Sequence, residues 1–234
     1  MKEIRIIKQA SIGTEELIDE DHSKINGTLE RYSKPVVSKV YYKASNVAEN
    51  FIRSNIAEWQ IGGPGILVTV DTYPEGCANT NPIRMSRPIL CITEVKSVPQ
   101  KYWLETLPTF DAQDAQQIRR LKDTILLTVR SLVRPGSILI TPHVSTLCSH
   151  SDFDCLKSYY PVIVSTMDLA RHNDGEQNVF LNLATIWRSV LDVCEEAQFY
   201  NSIYIRQFIV SHMWRRRYRD RSFEVFLYQL SLMQ

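Results

Sequence analysis

The chain has 234 residues, of which 44% are hydrophobic and 23% are charged. A chain of this length and composition buries a sizeable core, which excludes a disordered or fibrous protein. The formal net charge is only +1. A protein that wraps nucleic acid with its whole surface is usually more basic, so any nucleic acid would have to bind a local patch.

The cysteines and the N-terminus indicate the compartment. The five cysteines are odd in number, and no two of them have the C-x-x-C spacing of a zinc site. No apolar stretch reaches the roughly 18 residues that cross a bilayer, and the N-terminus lacks the apolar segment of a signal peptide. We therefore expect an intracellular protein, cytoplasmic or nuclear, without a membrane partner.

The N-terminal third of the chain begins with a polar, weakly periodic stretch at residues 8–34, which fits an arm or a marginal helix, and residues 1–45 are predicted to form an N-terminal arm. The first helix is predicted over residues 46–59, where Asn46 and Glu49 have the spacing of a capping box. Apolar side chains there recur on one helical face: Ala48, Ile52, Ile56 and Trp59. The glycine-rich turn at residues 62–65 ends this helix.

Two strands are predicted next. Residues 66–71 are β-branched and bounded by turn residues, and they end at Asp71. Residues 88–96 begin with successive apolar residues, which is typical of a central strand that is covered on both faces, and they end in Glu94-Val95-Lys96.

The remaining elements complete an α/β pattern. A long helix is predicted over residues 111–133, followed by a buried strand at 137–141 and a short strand at 162–164. Residues 176–194 are predicted to be helical, and so are segments from about residue 200 onwards. This order favours a mixed central sheet with helices on both faces. We expect one domain overall, with an α/β core at 46–165 and a helical C-terminal extension at 166–234 packed on that core.

The charged residues at the strand ends form a candidate reactive site. Side chains alternate along a strand, so Glu94 and Lys96 point to the same face, and Asp71 joins them if the two strand ends lie together. Two carboxylates can hold Mg²⁺ or Mn²⁺, which polarises a phosphate and lowers the pKa of a bound water. Lys96 would then position this water. The set is suited to metal-assisted hydrolysis of a phosphodiester.

This pattern resembles the PD-(D/E)xK nuclease superfamily, and locally its nuclease-like members that are common in fungi. In those proteins an Arg-Pro-Ile start leads after four residues to E-x-K. Here Arg87-Pro88-Ile89 precedes Glu94-Val95-Lys96 with that spacing, and Val70-Asp71 matches the family's V-D. The residue before Asp71 is valine where the signature has proline, which is a departure from the pattern.

The resemblance implies a restriction-endonuclease-like core. In that arrangement a helix precedes a β-meander that carries the acidic residue and the E-x-K strand, and a long helix and a further strand follow. It also implies a divalent-metal-dependent endonuclease that acts on DNA or RNA with Mg²⁺ or Mn²⁺ as cofactor. Asp71 and Glu94 would bind the metal, and Lys96 would assist the water. A glutamine early in the next helix corresponds to Gln116 or Gln117, and a helical acid corresponds to Glu49 or Glu58.

Simpler interpretations exist for these residues. Glu94 and Lys96 would also fit a surface pair at a strand end, and Asp71 would fit a cap of the turn that follows it.

His22 would match the helical metal-binding histidine of some viral members of the superfamily. His143, Cys148 and His150 suggest zinc, but no fourth ligand has suitable spacing.

The strongest basic patch is Trp214-Arg215-Arg216-Arg217-Tyr218-Arg219-Asp220-Arg221. Arginines interleaved with aromatic residues can bind phosphates and stack on bases. We therefore predict that nucleic acid contacts four of these residues: Arg215, Arg216, Arg217 and Arg219. The alternatives are a solvated helix face whose arginines pair with the acidic residues of the N-terminal arm, and a nuclear-localisation signal.

Two functions of different classes follow from these observations. The first is the metal-dependent nuclease. The second is a non-catalytic nuclease-like module that binds nucleic acid or a protein partner, as a viral or host-interaction protein would. Geometry discriminates between them. Carboxylates within reach of one ion favour the enzyme, whereas splayed carboxylates or a salt bridge in their place favour the module.

Overall fold

A computed structural model of the chain describes residues 34–74, 87–95, 101–171 and 177–232. Two compact units divide these residues. The described part of Asn55–Ile209 forms one unit, which we call the sheet unit. The described parts of Met1–Ser54 and Val210–Gln234 form the other, which we call the helical unit.

The helical unit contains helix α1 (Lys34–Ser54), the end of helix α5 (Ser202–Tyr218) and helix α6 (Ser222–Leu232). The prediction that the first helix begins at residue 46 is wrong, because residues 34–45, predicted as arm, are helical as well. No glycine or proline occurs between positions 36 and 61, so nothing in the sequence interrupts the helix at the capping-box spacing.

The sheet unit is built on five strands: β1 (Leu67–Tyr73), β2 (Ile89–Glu94), β3 (Tyr102–Thr106), β4 (Ile138–Thr141) and β5 (Val162–Ser165). Their order across the sheet is β3-β2-β1-β4-β5. Strands β1, β2 and β3 are antiparallel neighbours, whereas β4 runs parallel to β1 and β5 runs parallel to β4. The predicted mixed sheet of an α/β protein is confirmed.

Four of the five strands lie where the sequence predicts them, within about two residues at each end. Strand β1 continues past the predicted end at Asp71, because Thr72 and Tyr73 are good strand formers that pair with Leu90 and Ile89. Strand β3 was not predicted. Its five residues are too few to show the clear alternation of apolar and polar side chains by which a strand is recognised in a sequence.

The helices of the sheet unit are α2 (Ala115–Leu132), α3 (Thr166–Arg171) and α4 (Gln177–Ala197), and α5 begins there. Asp114 caps α2 by accepting hydrogen bonds from the backbone N–H groups of Gln116 and Gln117 at 2.9 and 3.0 Å. Periodicity predicts one apolar face of five residues for α2. Ile118 is half-buried, and the other four residues of this face are buried: Leu121, Ile125, Val129 and Leu132. No helix among the described residues has the length and apolarity needed to cross a membrane.

Both faces of the central strands are covered. Helix α4 packs on one face, where the Cys194 thiol lies 3.6 Å from that of Cys91 in β2 and Ile186 packs against the core. On the other face Trp103 of β3 meets Trp59 of a short 3-10 helix, with ring centroids 6.5 Å apart. Side chains that point to either face of β1 and β2 are therefore removed from water.

Candidate functional site

Asp71 lies inside strand β1, and only 1% of its surface is exposed. Its Oδ1 accepts a hydrogen bond from the backbone N–H of Thr72 at 2.6 Å, and the Cys148 thiol lies 3.8 Å from the same oxygen. Cys91 is its register partner on β2. Burial raises the pKa of both thiols well above the usual value, and the charge of Asp71 adds to the rise. Asp71 is therefore buried inside the strand and does not lie at the strand end as predicted.

Glu94 is the last residue of β2 and anchors a loop. Its Oε2 accepts a hydrogen bond from the backbone N–H of Gly62 at 3.0 Å and lies 3.7 Å from the Lys101 ammonium nitrogen. Its side chain is 11% exposed, whereas that of Lys101 is 54% exposed. The Glu94 carboxylate is thus largely buried. It already contacts the backbone of the glycine-rich turn and the ammonium group of Lys101.

The strand register keeps the two carboxylates apart. Glu94 pairs with Val68, whereas Asp71 pairs with Cys91. Because side chains alternate along a strand, this register puts Asp71 and Glu94 on opposite faces of the sheet. The three-residue step from Val68 to Asp71 also separates the two positions by about 10 Å along the strand.

A shared divalent ion does not fit this arrangement. Its oxygen ligands would have to converge at about 2.0–2.6 Å from one point, which side chains on opposite faces do not reach. Among the residues that the structure describes, no group of three histidine, cysteine, aspartate or glutamate side chains could hold a metal ion. The expectation that Asp71 and Glu94 meet at one metal is not met by this register.

The other candidate catalytic residues have local partners or lie outside the described residues. Lys96 lies outside the described residues, so its place beside Glu94 stays a prediction. Gln117 is exposed at the start of α2, and its side-chain oxygen accepts a hydrogen bond from the backbone N–H of Asp111 at 3.2 Å. Glu49 pairs with Arg53 one turn along α1, at 2.9 Å.

The candidate histidines have a local partner, are exposed, or lie outside the described residues. His150 contacts Thr141 at the end of β4, with Nδ1 3.0 Å from the hydroxyl oxygen. His143 is exposed in the loop after β4, and Cys148 points to Asp71. The three residues suggested as zinc ligands therefore do not share one set of contacts. His22 lies outside the described residues.

The arginines at the end of α5 form a concentrated positive surface. We call this set the arginine surface: Arg215, Arg216, Arg217, Arg219 and Arg221. All are exposed except Arg215, which is half-buried and donates from Nε to the backbone oxygen of Ser211 at 3.2 Å. Glu224 lies 3.8 Å from Arg221. Arg216 and Arg219 have no carboxylate partner within the described residues.

The aromatic residues among these arginines are used in packing. Trp214 is only 4% exposed, and its indole nitrogen donates to the backbone oxygen of Ser222 at 3.1 Å. Its ring meets the edge of Phe51, with centroids 5.3 Å apart, and contacts Tyr218, with centroids 4.7 Å apart. Trp214 therefore holds α1, α5 and the start of α6 together inside the helical unit.

His212, one turn before the arginines, is held neutral. Burial lowers its pKa to about 4, and the positive charges of Arg215 and Arg216 contribute to the decrease. At pH 7 the positive charge of this region therefore comes from the guanidinium groups alone.

Several features of these sites were not predicted from the sequence. The link from Glu94 to Gly62 joins residues that are 32 positions apart, and its only signal in the sequence was the glycine-rich turn. Arg219 has a φ of 46°, the only positive φ outside glycine among the described residues. An arginine at the break between two helices was visible in the sequence, but its backbone conformation was not.

Comparison with known proteins returned no match. The chain matches no protein-family model, no curated protein and no solved structure. No relative therefore assigns a role to Asp71, to Glu94 or to the arginine surface.

Proposed function

We propose that this chain is a nucleic-acid-binding protein built on a restriction-endonuclease-like α/β core, and that it binds DNA or RNA with the arginine surface. We further propose that it acts as a non-catalytic module, without an ion shared by Asp71 and Glu94. The observation that carries the proposal is the set of exposed guanidinium groups at the end of α5.

A structural role accounts for only part of this surface. Positive side chains in the last turn of a helix interact favourably with its negative end, which is equivalent to roughly half an elementary charge. Arg221 additionally has Glu224 nearby, in an exposed pair of little energetic value. Arg216 and Arg219 exceed these needs, because both are exposed and lack a carboxylate partner within the described chain.

The charge is also local, as a binding patch requires in a chain of net charge +1. Residues 34–54 and 210–232 of the helical unit contain nine lysines and arginines but only three aspartates and glutamates. The described residues of the sheet unit contain eleven lysines and arginines and thirteen aspartates and glutamates. Phosphate groups are the partner that such a surface attracts most generally.

The order of elements supports the nuclease-like part of the proposal. Helix α1, the antiparallel meander β1–β3, helix α2 and strand β4 follow one another as the resemblance implies. Asp71 falls on the first strand of that meander and Glu94 on the second. Fold does not fix activity, and nuclease-like sheets persist in proteins without a working site.

The register of β1 and β2 supports binding without cleavage. Asp71 is buried beside Cys148, and Glu94 is engaged by Gly62 and Lys101 on the opposite face. These contacts are the splayed arrangement and the salt bridge that favour the non-catalytic module over the Mg²⁺- or Mn²⁺-dependent nuclease.

Fluorescence anisotropy with labelled 20-nucleotide single-stranded DNA, duplex DNA and RNA tests the binding. The test variant is Arg216→Gln with Arg219→Gln. The control is Arg119→Gln with Arg120→Gln, which removes the same charge from two exposed residues of α2. We expect the test variant to bind at least tenfold more weakly and its salt slope on duplex DNA to fall by about 2, because each phosphate contact contributes about 0.9. The control should match the wild type. Equal affinities and slopes for all three proteins would contradict the proposal.

The same substrates incubated with 10 mM Mg²⁺ or Mn²⁺ test the absence of cleavage. We expect no cleavage by the wild type. Cleavage that disappears in Asp71→Asn would instead support the nuclease, with Asp71 in a catalytic role. If no nucleic acid binds at all, a protein partner becomes the remaining interpretation of the arginine surface.

A further inference from the structure

We infer that the arginine surface binds the sugar–phosphate backbone and does not stack on bases, so that its ligand is a nucleic acid strand of any sequence. This inference rests on the proposed function and specifies the chemistry of the same surface. The sequence suggested both phosphate contacts and base stacking, because tryptophan and tyrosine alternate with the arginines. The structure separates these two modes.

The tryptophan of the patch is not available to a base. Its ring is 4% exposed, lies between Phe51 and Tyr218, and is fixed by the hydrogen bond from Nε1 to Ser222. A stacking platform needs an open ring face. Trp214 would have to leave the interior of the helical unit, and break this hydrogen bond, before a base could reach it.

Tyr218 is also engaged. Its ring is half-buried, with the Trp214 ring 4.7 Å away and the Arg217 guanidinium over it at 6.0 Å from the centroid. A base that stacked here would compete with contacts that the protein already makes. Tyr218 therefore supports the arginines and offers no free platform.

The arrangement of the guanidinium groups does not favour the reading of base edges. Arg215, Arg216 and Arg217 are consecutive on a helix, so they point in directions that differ by about 100°. Base readout by arginine needs a bidentate approach to guanine within one groove. Side chains that fan around a helix end suit phosphates, which are distributed along a backbone and accept charge from many directions.

Two exposed tyrosines of the helical unit offer the alternative. Tyr42 on α1 is 48% exposed and Tyr228 on α6 is 62% exposed. Neither lies among the arginines in the sequence. Among the described side chains of this unit, these two rings are the open platforms for a base, and they therefore serve as the critical variants.

The test compares two labelled oligonucleotides of 20 nucleotides, oligo-dT and an abasic strand with the same phosphates. We expect their affinities to agree within threefold, with equal salt slopes and no change in the intrinsic fluorescence of the protein, because all four tryptophans are buried. Tyr42→Ala and Tyr228→Ala should bind both strands as the wild type does.

The outcomes separate the inference from the proposed function. Each stacked base contributes about five- to 150-fold in affinity. A tenfold or greater preference for oligo-dT, or a comparable loss of oligo-dT binding in either tyrosine variant, would overturn the backbone mode and leave nucleic-acid binding intact. Failure of both strands to bind would overturn the proposed function itself.

Discussion

Arg219 occupies a backbone conformation in which glycine is usual. It follows the last residue of α5 with a φ of 46°, in the left-handed region that costs most residues about 1–2 kcal/mol. Helices commonly end with glycine in this conformation. An arginine that tolerates this strain at the centre of an exposed cationic surface is consistent with a role for its side chain in binding.

Arg219→Gly should therefore stabilise the protein and weaken its binding. Relief of the strain exceeds the added freedom of glycine in the unfolded chain, so the free energy of unfolding in urea should rise by about 0.5–1 kcal/mol. Anisotropy on the same preparation should show weaker binding of oligo-dT. Arg216→Gly is the matched control, because it puts glycine inside an ordinary helical turn and should lower stability by about 1 kcal/mol. A destabilised Arg219→Gly would contradict the strain argument.

The candidate catalytic residues show what a sequence motif leaves open at the residue scale. Asp71, Glu94 and the E-x-K spacing were all visible in the sequence, but the partner of each carboxylate was not. A shift of one residue in the register of β1 against β2 would move the side chains of one strand to the opposite face of the sheet. Glu94 is engaged by the backbone N–H group of Gly62 and by the side chain of Lys101, and nothing local in the sequence specifies those contacts.

Among the elements, the glycine-rich turn at residues 62–65 donates a hydrogen bond from Gly62 to Glu94. Gly62 has a φ of 80°, and a Cβ at this position would lie 2.8 Å from the Val68 side chain and still closer to Ser137. The turn can approach the sheet this closely only because it lacks a side chain there. Its N–H group then reaches the buried Glu94 carboxylate at the end of β2, which adds to the hydrogen bonds from Gly63 to Ser137 and from Gly65 to Gly136.

Glu94→Ala should destabilise the protein by about 1–3 kcal/mol, because it removes the acceptor of the Gly62 N–H group. Glu94→Gln keeps an acceptor oxygen and should cost less. Lys101→Ala should cost at most about 1 kcal/mol, since this lysine is half-exposed. Urea unfolding of the three variants measures the order. If Lys101→Ala proves as costly as Glu94→Ala, the ion pair, and not the backbone contact, gives Glu94 its structural role.

Periodicity predicted most of the elements, for identifiable reasons. Helix α2 has four buried apolar residues at helical spacing and an aspartate cap, and β1 and β2 are apolar and bounded by turns. The start of α1 was missed because a capping-box spacing also occurs inside helices. Strand β3 was missed because five residues carry too little pattern, and its position depends on pairing with β2.

At the scale of the whole molecule, the net charge conceals a segregation of charge. The chain as a whole is nearly neutral at +1, yet the described residues of the helical unit carry three times as many positive as negative side chains. Net charge governs solubility, whereas local charge governs the attraction of polyanions. Screening over about 10 Å at 0.1 M salt makes a concentrated patch act independently of distant carboxylates.

This segregation predicts the behaviour of the protein on a cation-exchange column at pH 8.5. The pH lies above the sequence pI of about 7.6, so a uniformly charged protein would pass through. We expect the wild type to be retained, because the resin contacts one surface of the protein and arginine stays protonated. Arg216→Gln with Arg219→Gln should elute at lower salt. The charge-matched control, Arg119→Gln with Arg120→Gln, should elute close to the wild type, since those residues lie in the sheet unit. Identical elution of the two double variants would mean that retention follows net charge. In that case the arginine surface is not the dominant electrostatic feature of the protein.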